Sequence, residues 1–538
     1  MIDVVILAAG SIKDKIYFLK YVFASPALIP VNSRALAAYV IDFYLQSQEK
    51  CRIHLVINSS DALIVQKELC NYSNDIDYVF VEKSRGVVDT LRIALRNINS
   101  KDQVIINVVT TIPASLPAMD EVLISDKLAR NRNWSSIVPD SSAVKFMSKQ
   151  AMSENEGYAF TGVFRLHVEH LARAVESIND YGDLLSVVSA VHSVHPLIFR
   201  KTHWIDCGHE TNYYRAKQQL ITSRSINAVQ INGETGVITK SSLHKDKLRN
   251  EVNYILMLPK EVAVYFPRIL GGYQEQDGRG SFDMEYYGYP TLAELMLYWD
   301  LDLGFWDEIF SGLTVVLEHF RKHPYSIGIS AFMDFYFKKT QDRIAEFRNR
   351  TSYEWAGLFN DTLVINGTEY SNYNVIRSRI EERIRSLYKE QDFCIMHGDF
   401  CFNNILYDLN SGILRLIDAR GSFGNSCVGI YGDFKYDLAK LTHSVIGGYD
   451  FIVNGSFRLS ADRNCFTYAI NVRDTVGYLA DRNRELIRRF GFKESDMLFL
   501  IGLLFVSMCP IHQDAPRRQA VMYLHGIKYL NETLEADE

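Results

Sequence analysis

The chain has 538 residues, 47% of them hydrophobic and 23% charged. That balance suits a folded globular protein able to bury sizeable cores without disulfide or metal staples. At roughly 100–200 residues per domain, the length predicts about three domains or lobes. A formal net charge of -6, a pI of about 6.2 and the absence of long charged runs argue against a nucleic-acid partner, because nucleic-acid binders carry a strong basic face. The 8 cysteines are scattered without a CxxC pair, which speaks against a zinc ribbon or dithiol redox motif and fits a reducing cytoplasm.

The first ~220 residues alternate short apolar strands with helical segments, the pattern of an α/β sheet. Val4–Ala8 is a continuous apolar run that ends at Gly10, and it has no basic stretch ahead of it, so it reads as a first strand rather than a signal peptide. Ile53–Asn58, Tyr78–Glu82 and Val104–Val109 are further strands rich in β-branched residues. Helical patterns lie between them at Ala35–Gln46, Asp61–Leu69 and Val88–Asn97. Strands that are apolar throughout predict central parallel strands buried on both faces.

After Arg224 the character changes. Ile226–Ile231 and Val237–Ser241 read as a hairpin around the turn Gly233–Gly236. A charged helix follows from Lys245 to just before Pro259, and Phe282–Tyr287 is a further strand. From Thr291 the pattern is mostly helical, interrupted between Ile395 and Gly432. The late apolar run Met497–Cys509 is too short to span a bilayer and reads as a buried helix, so no integral membrane segment is expected. The predicted organisation is three parts, 1–222, 223–290 and 291–538.

The most specific signal is His397-Gly398-Asp399-Phe400-Cys401-Phe402-Asn403-Asn404, followed after a strand and turn by Leu414-Arg415-Leu416-Ile417-Asp418. Phosphoryl transfer to a hydroxyl needs an acceptor for the hydroxyl proton, a role that suits a carboxylate. It also needs hard oxygen ligands for Mg²⁺. An Asp and an Asn five residues apart on one loop, with a second Asp at the end of the next hairpin, can meet both needs. Gly432-Asp433-Phe434-Lys435-Tyr436-Asp437-Leu438-Ala439 comes next. In this order the three segments resemble the aminoglycoside phosphotransferase and choline kinase family, relatives of the protein kinases.

The resemblance implies a bilobal kinase-like fold that uses ATP and Mg²⁺. In it Asp399 is the base, Asn404 and Asp418 are metal ligands, and Asp437 braces the loop. It also implies Lys240 as the phosphate-binding lysine, Glu251 as its ion-pair partner, and Asp283–Tyr287 as the adenine-binding segment, with Asp283 and Tyr286 in contact with the cofactor. The family's aromatic cage for a quaternary ammonium is not inferred from Tyr286, Tyr287 and Tyr289, which are expected to pack the adenine-binding segment. Where protein kinases carry Phe-Gly after the metal-binding Asp, this chain has Ala419-Arg420-Gly421. A guanidinium there can bind a carboxylate or phosphate bidentately or make a structural ion pair. The first reading makes Arg420 a substrate contact and the hydroxyl acceptor a small anionic molecule, such as a sugar phosphate or a hydroxy acid.

In the N-terminal part, Leu7-Ala8-Ala9-Gly10, Ser25-Pro26-Ala27-Leu28-Ile29-Pro30-Val31-Asn32 and Trp204-Ile205-Asp206-Cys207-Gly208 resemble, in the same order, the motifs of sugar-phosphate nucleotidyltransferases. The resemblance implies a Rossmann-like domain with a nucleotide over Gly10. Ala27 stands where the family has a lysine, Thr110 or Thr111 where it has a metal-binding Asp, and its Arg-rich signature is not recognisable in Ser11–Ser25. Losing these charges removes most of the stabilisation for attack on an α-phosphate, so this domain is expected to be non-catalytic. Nucleotidyltransferases often self-associate, and a homo-oligomer is the corresponding expectation. The fusion resembles bacterial proteins of capsule or surface-polysaccharide synthesis. Three readings follow: a small-molecule kinase, a bifunctional kinase and cytidylyltransferase, or a scaffolding protein in which both halves are inactive.

Overall fold

The computed structural model describes all residues except 11–24, 33, 99–101, 129–133, 140–143, 149–156, 180–182, 221–226, 233–234, 352, 425–426 and 537–538. Most of the Ser11–Ser25 segment, Ile226 and half of the Gly233–Gly236 turn therefore lie outside the described residues. The chain divides into two compact units. One is Met1–Leu220 with Tyr298–Asp300, and the other is Ile221–Leu297 with Leu301–Glu538.

The N-terminal unit is built on a mixed sheet. Ile2–Leu7 lies between Cys51–Asn58 and Gln103–Val108 and is parallel to both, and Ile76–Val81 extends the parallel side. Tyr158–His167 runs antiparallel to Gln103–Val108 and to Glu121–Leu128. The expected strands and helices form within about two residues of their predicted ends. The apolar first strand is central, with Val4, Val5 and Ile6 wholly buried. Helices Val87–Asn97, Val168–Ser177 and Leu184–Val194 cover one face through Val88, Leu91, Leu171 and Val188. Because Ile2–Leu7 has its two successors on opposite sides, the carboxyl ends at Leu7 and Val108 form a topological switch point, the place where open α/β sheets bind ligands.

The second unit opens with a four-stranded antiparallel sheet in the order Asn227–Asn232, Val237–Ser242, Arg279–Glu285, Ile269–Gln276. Helix Lys245–Met257 packs on one face through Leu248 and Val252, against Phe282 and Met284. The rest is mainly helical around the hairpin Ile405–Asp408/Ile413–Leu416. Sequence reading missed a second four-stranded sheet, Thr368–Ser371, Thr362–Ile365, Cys465–Ile470, Phe457–Asp462.

The length expected for the last apolar run is also corrected. Helix Glu494–Met508 continues through a 3₁₀ turn to His512, 19 residues in all, long and apolar enough to cross a membrane, and 78% of that window is buried inside the fold. It packs on helix Pro516–Glu535 where Gly502 meets Gly526. A Cβ at Gly526 would lie 2.7 Å from Val506, so the glycine permits this close crossing.

Candidate active site

Asp399 follows the short strand Phe393–Ile395, on a loop held in place by buried groups. The Asp437 carboxylate accepts from the His397 amide (2.6 Å) and the Gly398 amide (2.8 Å). Burial pushes the Asp437 carboxyl up to about 7 against these two donors. Asp437 lies in helix Phe434–Val445, whose N-terminus is capped by Asp433 through the Lys435 amide at 3.1 Å. Gly398 has φ +80°, and a Cβ there would lie 2.7 Å from the Arg420 Cβ. Glycine is required on both counts. His397 is fully buried, and its Nδ1 accepts from the Asp399 amide at 3.2 Å. Burial lowers its pKa to about 4, so it is neutral.

The Asp399 carboxylate has two protein partners. Lys440 Nζ lies 2.7 Å from Oδ1, and Asn404 Nδ2 donates to Oδ2 at 3.0 Å and to the Asp399 carbonyl at 2.9 Å. About 35% of the side chain is exposed. Burial alone would raise its pKa, but the charges of Lys440 and Arg420 outweigh it and hold the carboxyl well below the usual range. Asn404, with its amide nitrogen committed to Asp399, has its Oδ1 as the atom able to ligate a cation.

Asp418 follows the strand Ile413–Leu416 and has φ +61°, a left-handed conformation costing about 1–2 kcal/mol outside glycine. Strain of this kind concentrates at functional sites. The Asp418 carboxylate is half exposed and in direct contact with Lys240 Nζ. Lys240 lies on the strand Val237–Ser242 and also meets Glu251 Oε1 at 2.6 Å, one helix away. Burial works against the Lys240 charge, but the two carboxylates prevail and raise its pKa. Lys240, Glu251 and Asp418 thus form one group of contacts and Asp399, Asn404 and Lys440 another. The two adjoin through the backbone, where the Ile417 amide donates to the Asn404 carbonyl at 3.0 Å. Their hard oxygen donors, an open carboxylate and a side-chain amide oxygen, fit Mg²⁺, and the Lys240 ammonium already holds positive charge against Asp418.

Two expected cofactor contacts are not brought into either group. Asp283 pairs in register with Thr239, whose hydroxyl donates to it at 2.6 Å, whereas Lys240 pairs with Phe282. Alternation along the strand therefore places Asp283 on the sheet face opposite Lys240. Tyr286 is half-buried, and its amide donates to the Gly236 carbonyl at 2.9 Å. Tyr287 and Tyr289 stack at 5.7 Å, with Arg415 over Tyr287. Arg420 is half-buried beside Asp399. Its amide donates to the His397 carbonyl at 2.9 Å, and its Nη1 donates to the Tyr436 hydroxyl at 3.2 Å. Lys440 was missed in the sequence. It lies three residues after Asp437 on the same helix, hence on the same face, and that spacing was the available signal.

In the N-terminal unit, Gly10 is exposed beyond the first strand, and its carbonyl accepts from Asn58 at 3.3 Å. Asp206 pairs in register with Thr111, and the Cys207 amide donates to the Thr110 carbonyl at 2.8 Å, which places Asp206 beside the switch point. Its side chain is 8% exposed, and both oxygens have protein partners. Oδ2 accepts from Trp134 Nε1 (3.0 Å) and Asn212 Nδ2 (2.8 Å) and meets His209 Nδ1 at 2.7 Å, while Oδ1 accepts from the Gly208 amide at 2.9 Å. Three of these four contacts crowd onto Oδ2, and Oδ1 has the Gly208 amide. Ala27 is wholly buried, a packing position. Thr111 donates to the Thr161 carbonyl at 2.7 Å, leaving Thr110 as the residue beside Gly208.

No family model and no curated protein matches the chain. Solved structures of nucleotidyltransferases resemble its N-terminal part. A Bacillus anthracis protein assigned as a glucose-1-phosphate thymidylyltransferase, in complex with sucrose, covers 40% of this chain and 94% of its own, at 14% identity and TM-score 0.34. HddC from Yersinia pseudotuberculosis covers 41% and 99%, at 20% identity and TM-score 0.31. UTP-bound UGPase from Acinetobacter baumannii covers 41% and 93%, at 13% identity and TM-score 0.32. These likenesses concern chain path in about two-fifths of the molecule, and no residue role is carried over from them.

Proposed function

We propose that the C-terminal unit is an ATP-dependent small-molecule kinase that transfers the γ-phosphoryl group to a hydroxyl, with Asp399 accepting the hydroxyl proton. The observation that carries this reading is the direct contact of Lys240 with Asp418, 178 residues apart in sequence, on a segment whose Ile417 amide bonds the carbonyl of Asn404, the partner of Asp399. Asn404 and Asp418 would hold Mg²⁺, which neutralises triphosphate charge when bound. Lys240, oriented by Glu251, meets the phosphates. Asn404 and Lys440 fix the Asp399 carboxylate, and Asp437 fixes the loop beneath it. Held in this way, Asp399 is placed to orient the hydroxyl and accept its proton during transfer.

The N-terminal unit, in this reading, does not transfer nucleotides. Trp134, Asn212, His209 and the Gly208 amide hold the Asp206 carboxylate as an acceptor, and Thr110 supplies no charge. A place in the synthesis of surface-polysaccharide precursors in the cytoplasm rests on the resemblance alone. The test is ADP formation by the full chain with ATP, Mg²⁺ and a panel of sugars, sugar phosphates, hydroxy acids and amino alcohols. Asp399→Asn should lower acceptor-dependent turnover by about 10²–10⁴-fold. Unchanged turnover would remove the assignment.

A further inference from the structure

Beside Asp399 lies a group of cations that the chain leaves largely without counter-charge. Helices Ile329–Met333 and Lys339–Arg350 are joined by a single π-helical turn, Asp334–Lys338. Such insertions are frequent at functional sites. The turn carries Phe335, whose ring packs edge-on to Tyr436 with centroids 4.8 Å apart. Two cations share these rings. Lys339 Nζ lies 3.6 Å from the Phe335 centroid and 5.4 Å from that of Tyr436, and the Arg420 guanidinium carbon lies 5.8 and 5.5 Å from the same two.

Among the described residues, Lys339 Nζ has no hydrogen-bond acceptor and no carboxylate within ion-pair distance. Arg420 uses one side-chain donor, on Tyr436, of the five a guanidinium has. Arg343, one turn beyond Lys339, spends Nη1 on the Ser507 carbonyl at 3.0 Å. Lys440 is the fourth cation. The facing acidic groups are Asp399, paired to Lys440, Asp437, committed to two amides, and Glu346, near Arg343 and paired to Arg350 at 2.8 Å. Burial first, then the charges of Arg420, Arg343 and Lys440, push the Lys339 amine well below the usual lysine range. Half-burying like charges together costs free energy, and an arriving anion would offset that cost.

We infer that Lys339 and Arg420, seated on Phe335 and Tyr436 with Arg343 behind them, form the acceptor subsite and bind a carboxylate or phosphate group of the hydroxyl compound presented to Asp399. The inference rests on the kinase reading for the role of Asp399, and to the Arg420 contact expected from the sequence it adds Lys339 and Arg343, two cations that no sequence motif marks, and the aromatic seat beneath them.

The test is binding measured by calorimetry with the full chain and no nucleotide. The probes are D-glycerate, glycerol 3-phosphate, glucose 6-phosphate and inorganic phosphate, compared with glycerol and glucose. At least one anionic probe should bind more tightly than its neutral counterpart. Lys339→Met keeps the contact with Phe335 and should weaken that binding about tenfold or more, the worth of one charge-assisted hydrogen bond. Arg343→Gln, further back, should weaken it less and serves if Lys339→Met does not fold. Glycerate and the phosphate compounds distinguish carboxylate from phosphate recognition. Equal binding of neutral and anionic probes, no binding of any anion, or unchanged affinity in the variants would overturn the inference. Asp399→Asn separates the two claims. It should lower turnover by about 10²-fold or more and retain anion binding, whereas turnover of neutral acceptors unaffected by Lys339→Met would leave the kinase standing without this subsite.

Discussion

Asp206 and Asp399 both stand at the end of a motif that sequence reading singles out, and the chain treats them in opposite ways. Asp206 is 8% exposed and surrounded by Trp134, His209, Asn212 and the Gly208 amide. Asp399 is 35% exposed, with two side-chain partners that fix it and leave an open side. The difference teaches that a surviving carboxylate is not by itself a catalytic one. Free lone pairs and neighbouring charge decide what it can do. In the N-terminal unit the carboxylate is held by protein groups, and in the C-terminal unit it keeps an exposed side.

The comparison breaks first at Lys240. Lys240→Met should lower kcat/KM for ATP by about 10²-fold or more, as expected for loss of a charged donor to the reacting phosphates, measured by steady-state ADP release. A smaller loss, below about threefold, would detach the Lys240–Glu251–Asp418 chain from the chemistry.

Lys440→Met sharpens the account of Asp399. With Lys440 present the carboxylate stays ionised throughout the neutral range, so the pH–rate profile should have no acid limb from this group above pH 5. Without Lys440, burial acts with less opposition and the Asp399 pKa rises. Activity should then fall as pH drops through the new, higher value, and the acid limb should move up by about one unit or more. A profile that does not move would mean that Lys440 serves packing alone.

Asp437→Asn should cost about 1–3 kcal/mol in denaturant unfolding, because one amide oxygen cannot replace two carboxylate oxygens and a buried N–H is left unpaired. The smallest expected effect belongs to the N-terminal unit. Asp206→Asn should leave ATP turnover within about twofold while lowering the melting temperature, since it removes acceptor capacity from four protein groups. Pyrophosphate release from CTP that is lost in this variant would restore the bifunctional reading.

The legible parts of the fold were those whose pattern is local. Val4–Ala8 is apolar throughout, as is Val104–Val109 but for the buried, hydrogen-bonded Asn107, and such runs are hard to mistake because both of their faces are covered. The sheet formed by Thr362–Ile365, Thr368–Ser371, Phe457–Asp462 and Cys465–Ile470 was missed because its strands are short. Their alternation, Phe457 and Leu459 inward between exposed Arg458 and Ser460, spans too few residues to outweigh the surrounding helical pattern. The same division holds at the site. Asp399, Asn404 and Asp418 lie close together in sequence and announce their chemistry. Lys440 had only its spacing from Asp437 as a signal, and Lys339 and Arg343, on a helix distant in sequence, had none. Asp283 looked suitable by position, but strand alternation puts it on the other face of the sheet.

The central claim is transfer of phosphate to a carbon-borne hydroxyl at Asp399. The most direct measurement is ³¹P NMR of the full chain with ATP, Mg²⁺ and the acceptor panel, followed in wild type and Asp399→Asn. The account predicts a new phosphomonoester resonance that grows with ADP in the wild type and is absent or slowed by at least about 10²-fold in the variant. ATP consumption that yields only inorganic phosphate with every acceptor, or a phosphomonoester formed equally well by Asp399→Asn, would contradict it.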